Sequence, residues 1–328
     1  MGFALNGGDR FALYEGAPYR DYFVTMGMRT LDVPGSIMME SGGYLGVSKD
    51  EGCTWELITR VDTWPLWIAP AKGGNAYAYA VNGSALHSVT NAGGSYSATA
   101  LRSPTGSIMG LGVDATDPQH VRIGGPDGTI YDSTDGGVSW RAISSAAPGN
   151  LFLYRMAFDP NDLDHVLLGA LGEGGRVTVD AGQTWTECAG LSITGGPVNL
   201  FNMEVSGANG EYVWAAALDI TQSDQGHPSQ GRHIYLSTDG GFSFVPVIDN
   251  GDSGVVITNG PELRPHPTIP GVLGWGWGSR FDGGYVYLYN ARNDRIHVGY
   301  QPGIVVRTVE FYPRDTRNQY IGLEGSFF

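Results

Sequence analysis

One eight-residue pattern recurs along the chain and limits the possible folds more than any other feature. It reads Ser133-Thr134-Asp135-Gly136-Gly137-Val138-Ser139-Trp140 and returns over residues 48–55, 178–185 and 237–244, with Asp50, Asp180 and Asp239 at the acidic position. A weaker copy over residues 89–96 carries Asn91 there. Short runs of alternating polarity flank it, as in Thr129-Ile130-Tyr131-Asp132 and Ser139-Trp140-Arg141-Ala142-Ile143. That is the pattern of two antiparallel strands joined by a turn. The aspartate can accept from turn amides ahead of it, glycine supplies the positive-φ position, and the aromatic packs beneath the hairpin. Asp50, Asn91, Asp135, Asp180 and Asp239 are thus read as structural, without chemistry.

The pattern resembles the Asp-box, or bacterial neuraminidase repeat, S/T-x-D-x-G-x-S/T-W. The resemblance implies a β-propeller whose boxes are structural and lie away from the binding face. Successive box positions are separated by 41, 44, 45 and 59 residues, and a period of about 40 to 50 marks four-stranded propeller blades. A second shared segment precedes the boxes, over residues 113–125 and 158–169, and recurs without a following box over residues 264–276 and 310–322. The last copy leaves a half-built blade, which the degenerate box Asn6-Gly7-Gly8-Asp9-Arg10-Phe11 completes from the other end. The sequence therefore predicts an all-β fold, a single seven-bladed β-propeller with four-stranded blades of about 47 residues and a closing blade shared by the N- and C-terminal segments. The blade boundaries fall near 18–60, 61–101, 102–145, 146–190, 191–249, 250–300, and 301–328 plus 1–17. Sharing the closing blade removes the open sheet edge of a ring.

Composition narrows the partners. A net charge of −14 with only Lys49 and Lys72 as lysines argues against nucleic acid, because phosphate neutralisation needs clustered Lys and Arg. No stretch reaches the roughly 18 to 20 apolar residues of a membrane span. No secretory signal is visible, so an extracellular or periplasmic setting would require that one had been removed. Cys53 and Cys188 fall on the first and fourth blades, nearly across the ring, whereas a disulfide needs Cα atoms within ~7 Å; two unpaired thiols are expected. The seven His are scattered, with no CxxC or HExxH, so neither a metal nor a cofactor is expected. The chain is read as a monomer.

Function in such a ring should lie near its axis. Aligning the shared segments puts Ala157, Glu204, Arg264 and Glu310 at one level of the inner strands, and Arg155, Asn202, Glu262 and Thr308 two residues earlier, with Arg307 beside them. The second and third blades offer Trp67, Gly110 and Gly112. Glu204, Glu262 and Glu310 can be read as acid, base or anchor, since a carboxylate pair about 5 to 9 Å apart suits glycoside hydrolysis. They can equally be read as a paired network filling the channel, because buried charges occur mainly when paired. Loops add binding candidates. The 59-residue spacing places an insertion over residues 221–233, with Asp224, His227, Arg232 and His233, on the face that also carries the connections between blades. Trp64 and Trp67 lie in the connection Asp62-Thr63-Trp64-Pro65-Leu66-Trp67 on that side, and Trp275 and Trp277 stand between glycines in the sixth blade; they either stack on sugar rings or anchor a partner, or fill gaps between blades. His227 and His233 lack a third metal ligand at a convincing spacing.

Asp-box propellers include sialidases, xyloglucanases, sortilin-type receptors and photosystem assembly factors, so the fold does not choose among them. The chain lacks the Arg-Ile-Pro signature of sialidases, has one propeller where xyloglucanases use two, and lacks the Cys-rich modules of sortilin-type receptors. The assembly factors resemble it best in size. The reading is a non-catalytic binding or assembly module that recognises a protein or carbohydrate ligand on the loop face. The alternative is an extracytoplasmic carbohydrate-active enzyme using the axial carboxylates.

Overall fold

The computed structural model describes residues 2–5, 10–13, 23–61, 66–279, 283–299, 305–312 and 315–325. The chain is all-β apart from short helical turns, and its strands form sheets arranged as a propeller. Five sheets have four strands in simple up-and-down order, their inner strands being Trp67–Ala71, Gly110–Val113, Leu153–Asp159, Val198–Val205 and Leu263–Pro265. The sixth has eight strands. In it Gly2–Leu5 pairs Gln319–Gly325, which also pairs Val305–Phe311 and touches Phe23–Thr30 through Glu324↔Val24 and Gly325↔Phe23. Those two residue pairs fuse segments that the repeat spacing assigns to separate blades. Counted by continuous sheets the propeller has six blades, one of double width, and the expected seven-bladed division is corrected accordingly.

The repeated turns are built as their chemistry requires. In the copy around Asp135, Ser133 Oγ donates to Asp135 Oδ1 at 2.8 Å and accepts from the Gly137 amide at 2.8 Å. The same carboxylate accepts from the Ser139 amide at 2.9 Å and from the Ser139 hydroxyl. Asp50, Asp180 and Asp239 repeat the scheme with Thr54, Thr184 and Ser243. Gly136 and Gly137 take φ of 74° and 86°, which only glycine adopts without strain. Asn91 departs from the scheme: it accepts from the Gly94 amide at 2.7 Å, and Ala92↔Ser95 pairing closes a tight hairpin. The degenerate copy at Asn6–Asp9 lies outside the described residues.

The aromatics of these turns wedge between neighbouring sheets. Trp140 packs against a cluster containing Tyr77, Tyr79 and Val113, and Trp185 against one containing Ile130, Leu153 and Val166. Phe244 joins Leu167, Leu200 and Met203. The core is therefore a series of apolar layers between sheets, and each layer needs side chains from both neighbours. Cys53 is exposed, Cys188 is half-buried, and both are free thiols.

Near the axis the inner strands approach until there is no room for a side chain. The Met156 amide donates to the Met109 carbonyl at 2.8 Å across two sheets, and a Cβ on Gly110 would stand 2.1 Å from the Met156 carbonyl oxygen. Gly27 is similar, with the Leu66 carbonyl oxygen at 2.3 Å. Contacts that close force a backbone shift, and overpacking costs about 1–3 kcal/mol. Gly110→Ala is expected to lower stability by about that amount, read from the urea midpoint at unchanged slope. A midpoint equal to wild type would show that the strands part freely.

Candidate functional site

A recurring bond fixes the level of each inner strand. Leu31, Asp114, Ser206, His266 and Tyr312 each donate their amide to a carbonyl at or just before the start of the next strand, on Ser36, His120, Tyr212, Val272 and Asn318. Two residues earlier stand Arg29, Gly112, Glu204, Arg264 and Glu310, and side chains alternate along a strand so that these share the axial side. Arg29 is the member that sequence reasoning missed. Its strand makes the same bond, from the Leu31 amide, but Leu31-Asp32-Val33-Pro34-Gly35 does not match the turn segment that marks the other copies.

The axial charges are paired. Arg155 Nη2 donates to Glu204 Oε1 at 2.8 Å. Arg264 donates from Nη2 to Glu262 Oε1 and from Nε to the Val309 carbonyl at 3.1 Å, and its Nε lies 3.6 Å from Glu310 Oε2. Arg29 Nη1 lies 3.8 Å from the same Glu310 oxygen. The Phe311 amide donates to Glu310 Oε1 at 3.1 Å. Burial pushes the Glu310 carboxyl up to about 7 against the pull of Arg29 and of backbone amides. Burial likewise raises Glu262 to about 7 against Arg29 and Arg155. For Arg29, burial works against the charge, but Glu204, Glu310 and Glu262 outweigh it and hold its pKa above the ordinary value.

Two cavities meet this charged layer from opposite ends of the axis. The larger, about 340 Å³, lies where the inner strands end and is lined by Arg29, Arg155, Glu204, Arg264 and Glu310 together with Leu111 and Phe158. The smaller, about 230 Å³, lies where they begin and is lined by Trp67, Arg155, Asn202, Glu262 and Arg307. The structure thus brings Glu204 and Glu310 to one cavity and Glu262 to the other. Thr308 is fully buried. The larger cavity is on the face of the repeated turns, whereas the loop face holds the smaller one.

The other candidates scatter. Arg155 lies over the Trp67 ring, 6.0 Å from its centroid. Trp275 is fully buried and stacks on Tyr287 at 4.9 Å, which makes it core. Trp277 lies on the strand Val272–Ser279, and Trp64 is outside the described residues. The insertion begins with a helix, Ile220–Asp224, capped by Asp219. Fully buried His233 bridges Asp249 Oδ1 and Gln222 Oε1, each at 2.6 Å, and so ties the insertion to its sheet. His227 contacts Ser229, Arg232 donates to Asn259, and Asp224 is exposed. Among the described residues no three His, Cys, Asp or Glu are grouped to hold a metal ion. Glu40, which sequence reasoning also missed, is fully buried with no ion pair among the described residues, accepts from the Gly43 amide, and is pushed up to about 7 by that burial.

The raised carboxyls give stability a pH dependence of definite sign. Unfolded, Glu262 and Glu310 titrate near 4.5, and folded near 7. Between those values the folded chain binds more protons, so stability is greatest at the acid end and falls as pH rises. The melting temperature of wild type should fall more steeply from about pH 5 to pH 7 than that of Glu310→Gln. Parallel profiles would refute the raised value for Glu310.

No known protein-family profile matches the chain. A dispase autolysis-inducing protein of Streptomyces mobaraensis is 36% identical over 304 residues, which cover 92% of this chain and 80% of the relative. Among solved structures, YCF48 bound to a D1 peptide superposes with a TM-score of 0.63 at 14% identity, covering 96% of this chain and 97% of that one. An ancestral GH74 enzyme gives 0.61 at 17% identity over 94% of this chain, which spans only 46% of the enzyme. The structural likenesses establish the propeller fold. The sequence likeness, extending over nearly the whole chain, establishes that this protein belongs to the family of the dispase autolysis-inducing protein.

Proposed function

We propose that the chain is a non-catalytic binding module whose partner is a protein, and that this partner is a protease whose self-cleavage it provokes. The observation that carries the reading is the 36% identity, sustained over 92% of the chain, to a protein named for inducing dispase autolysis. The site supports binding rather than hydrolysis. Glu204 and Glu262 are each hydrogen-bonded to a guanidinium, and Glu310 is shared between two. A general acid must reach the leaving group with its proton, and carboxylates tied in this way serve better to position guanidiniums. The repeated turns, read as Asp-boxes, are the scaffold that holds the rim loops. The setting under this reading is extracellular or periplasmic, where such a protease would be met, and the chain acts as a monomer.

The test is to incubate dispase with the purified protein and follow intact protease by gel and residual activity with time. Intact dispase should disappear faster as the protein is added, and a complex should be measurable by calorimetry with protease inactivated at its active site. Unchanged decay with no detectable complex would refute the reading. So would hydrolysis of xyloglucan or a sialoside by wild type that is lost in Glu204→Gln, Glu262→Gln or Glu310→Gln, which would favour the enzyme.

A further inference from the structure

The larger axial cavity contains a guanidinium whose fork is unfilled. Among the described residues the one hydrogen bond of Arg29 runs from Nε to the Ile68 carbonyl at 3.2 Å. Its Nη1 reaches Glu310 only at 3.8 Å, beyond hydrogen-bonding distance, and the side chain keeps 19% exposure in the cavity it lines. Arg155 and Arg264 differ, each donating directly to a carboxylate. The two Nη groups thus face the cavity without a hydrogen-bonded carboxylate, and such a planar pair of donors matches a carboxylate in bidentate fashion.

The charges around it are nearly balanced. Three guanidiniums, of Arg29, Arg155 and Arg264, line this cavity against two carboxylates, of Glu204 and Glu310. Glu204, Glu310 and Glu262 together hold Arg29 charged, yet among the described residues none of them accepts a hydrogen bond from its Nη atoms. With Glu262 bonded to Arg264 from the far side of the layer, three guanidiniums meet three carboxylates, and what this cavity offers is free donors rather than net charge. Leu111, Val113, Phe158, Pro160 and Pro265 supply an apolar wall, and Tyr79 and Thr30 line the cavity as well. At about 340 Å³ it falls at the small end of ligand pockets.

We propose that this cavity binds a carboxylate carried by a peptide, with the Arg29 fork as its anchor and the apolar wall receiving the adjoining side chain. The proposal rests on the protein-binding reading and names the chemistry of one contact, which it places on the face of the repeated turns and not on the loop face that the sequence pattern favours. A free C-terminus and an acidic side chain offer the same group, so the test separates them.

Three probes are titrated calorimetrically into the full chain: N-acetyl-Ala-Leu with a free carboxylate, its C-terminal amide, and N-acetyl-Asp-Leu amide. The free acid should bind at least about tenfold more tightly than its amide. Recovery of binding by the Asp-Leu amide would assign the site to an acidic side chain as well as a terminus, and absence of recovery would assign it to a terminus. Arg29→Gln, with its fold checked by circular dichroism, should abolish the difference between acid and amide, and Arg29→Lys should reduce it. The wild-type contrast stands without either variant should they fail to fold. Equal binding of acid and amide, no binding of any probe at millimolar concentration, or a full contrast in folded Arg29→Gln would overturn the proposal. Dispase decay without the acid–amide contrast would remove the cavity proposal and leave the functional reading. The contrast without decay would do the reverse.

Discussion

The inner strands converge on one axis so closely that the positions facing the narrowest approach have no side chain at all. Gly27 and Gly110 lie where a Cβ would meet the carbonyl of the neighbouring strand. With the backbones this near, whatever side chains do point inward meet in a confined space with little water. Charges at that level must then find partners, because an isolated buried ion costs several kcal/mol even after relaxation. The pairing of Arg155 with Glu204 and of Arg264 with Glu262 follows from the backbone geometry, and so does the incomplete pairing of Arg29.

Much of this was legible in the residues, for reasons that differ from element to element. The turn around Asp135 could be read because its bonds are local: Ser133, Gly137 and Ser139 all lie within four residues of the aspartate. The axial level of Glu204, Arg264 and Glu310 could be read because the turn following each inner strand repeats at fixed distance. Arg29 escaped because its strand is followed by a different turn. The sheet count escaped for another reason. Two backbone pairs between Phe23–Val24 and Glu324–Gly325 decide it, and backbone pairing between chain ends about 300 residues apart leaves no mark in side-chain pattern.

Tryptophan was ambiguous for a physical reason as well. A Trp between glycines on a strand is equally suited to a sugar ring or to the gap beside the next sheet, and only the neighbour decides. For Trp275 the neighbour is Tyr287, stacked at 19° between planes, and the indole is wholly buried. For Trp67 it is the Arg155 guanidinium, which places the ring at the wall of the smaller cavity.

The acidity of the chain divides into two kinds of carboxylate with opposite chemistry. Those of the repeated turns lie at the surface and accept from hydroxyls and amides of their own turn; the Ser139 hydroxyl and amide, foremost, hold Asp135 down at about 2. They are committed to the scaffold and stay ionised. The axial carboxylates are few and lie against guanidiniums, and burial raises two of them, Glu262 and Glu310. Net charge therefore says little about what the protein attracts. The larger cavity presents an Arg29 fork that no carboxylate fills, although the molecule is anionic, and the field in a confined, poorly hydrated site is screened far less than at the surface. An acidic group approaching the ring as a whole is repelled, yet one that enters this end of the axis is held. Selectivity then comes from reach: a carboxylate on a narrow, extended segment can enter where a broad acidic surface cannot.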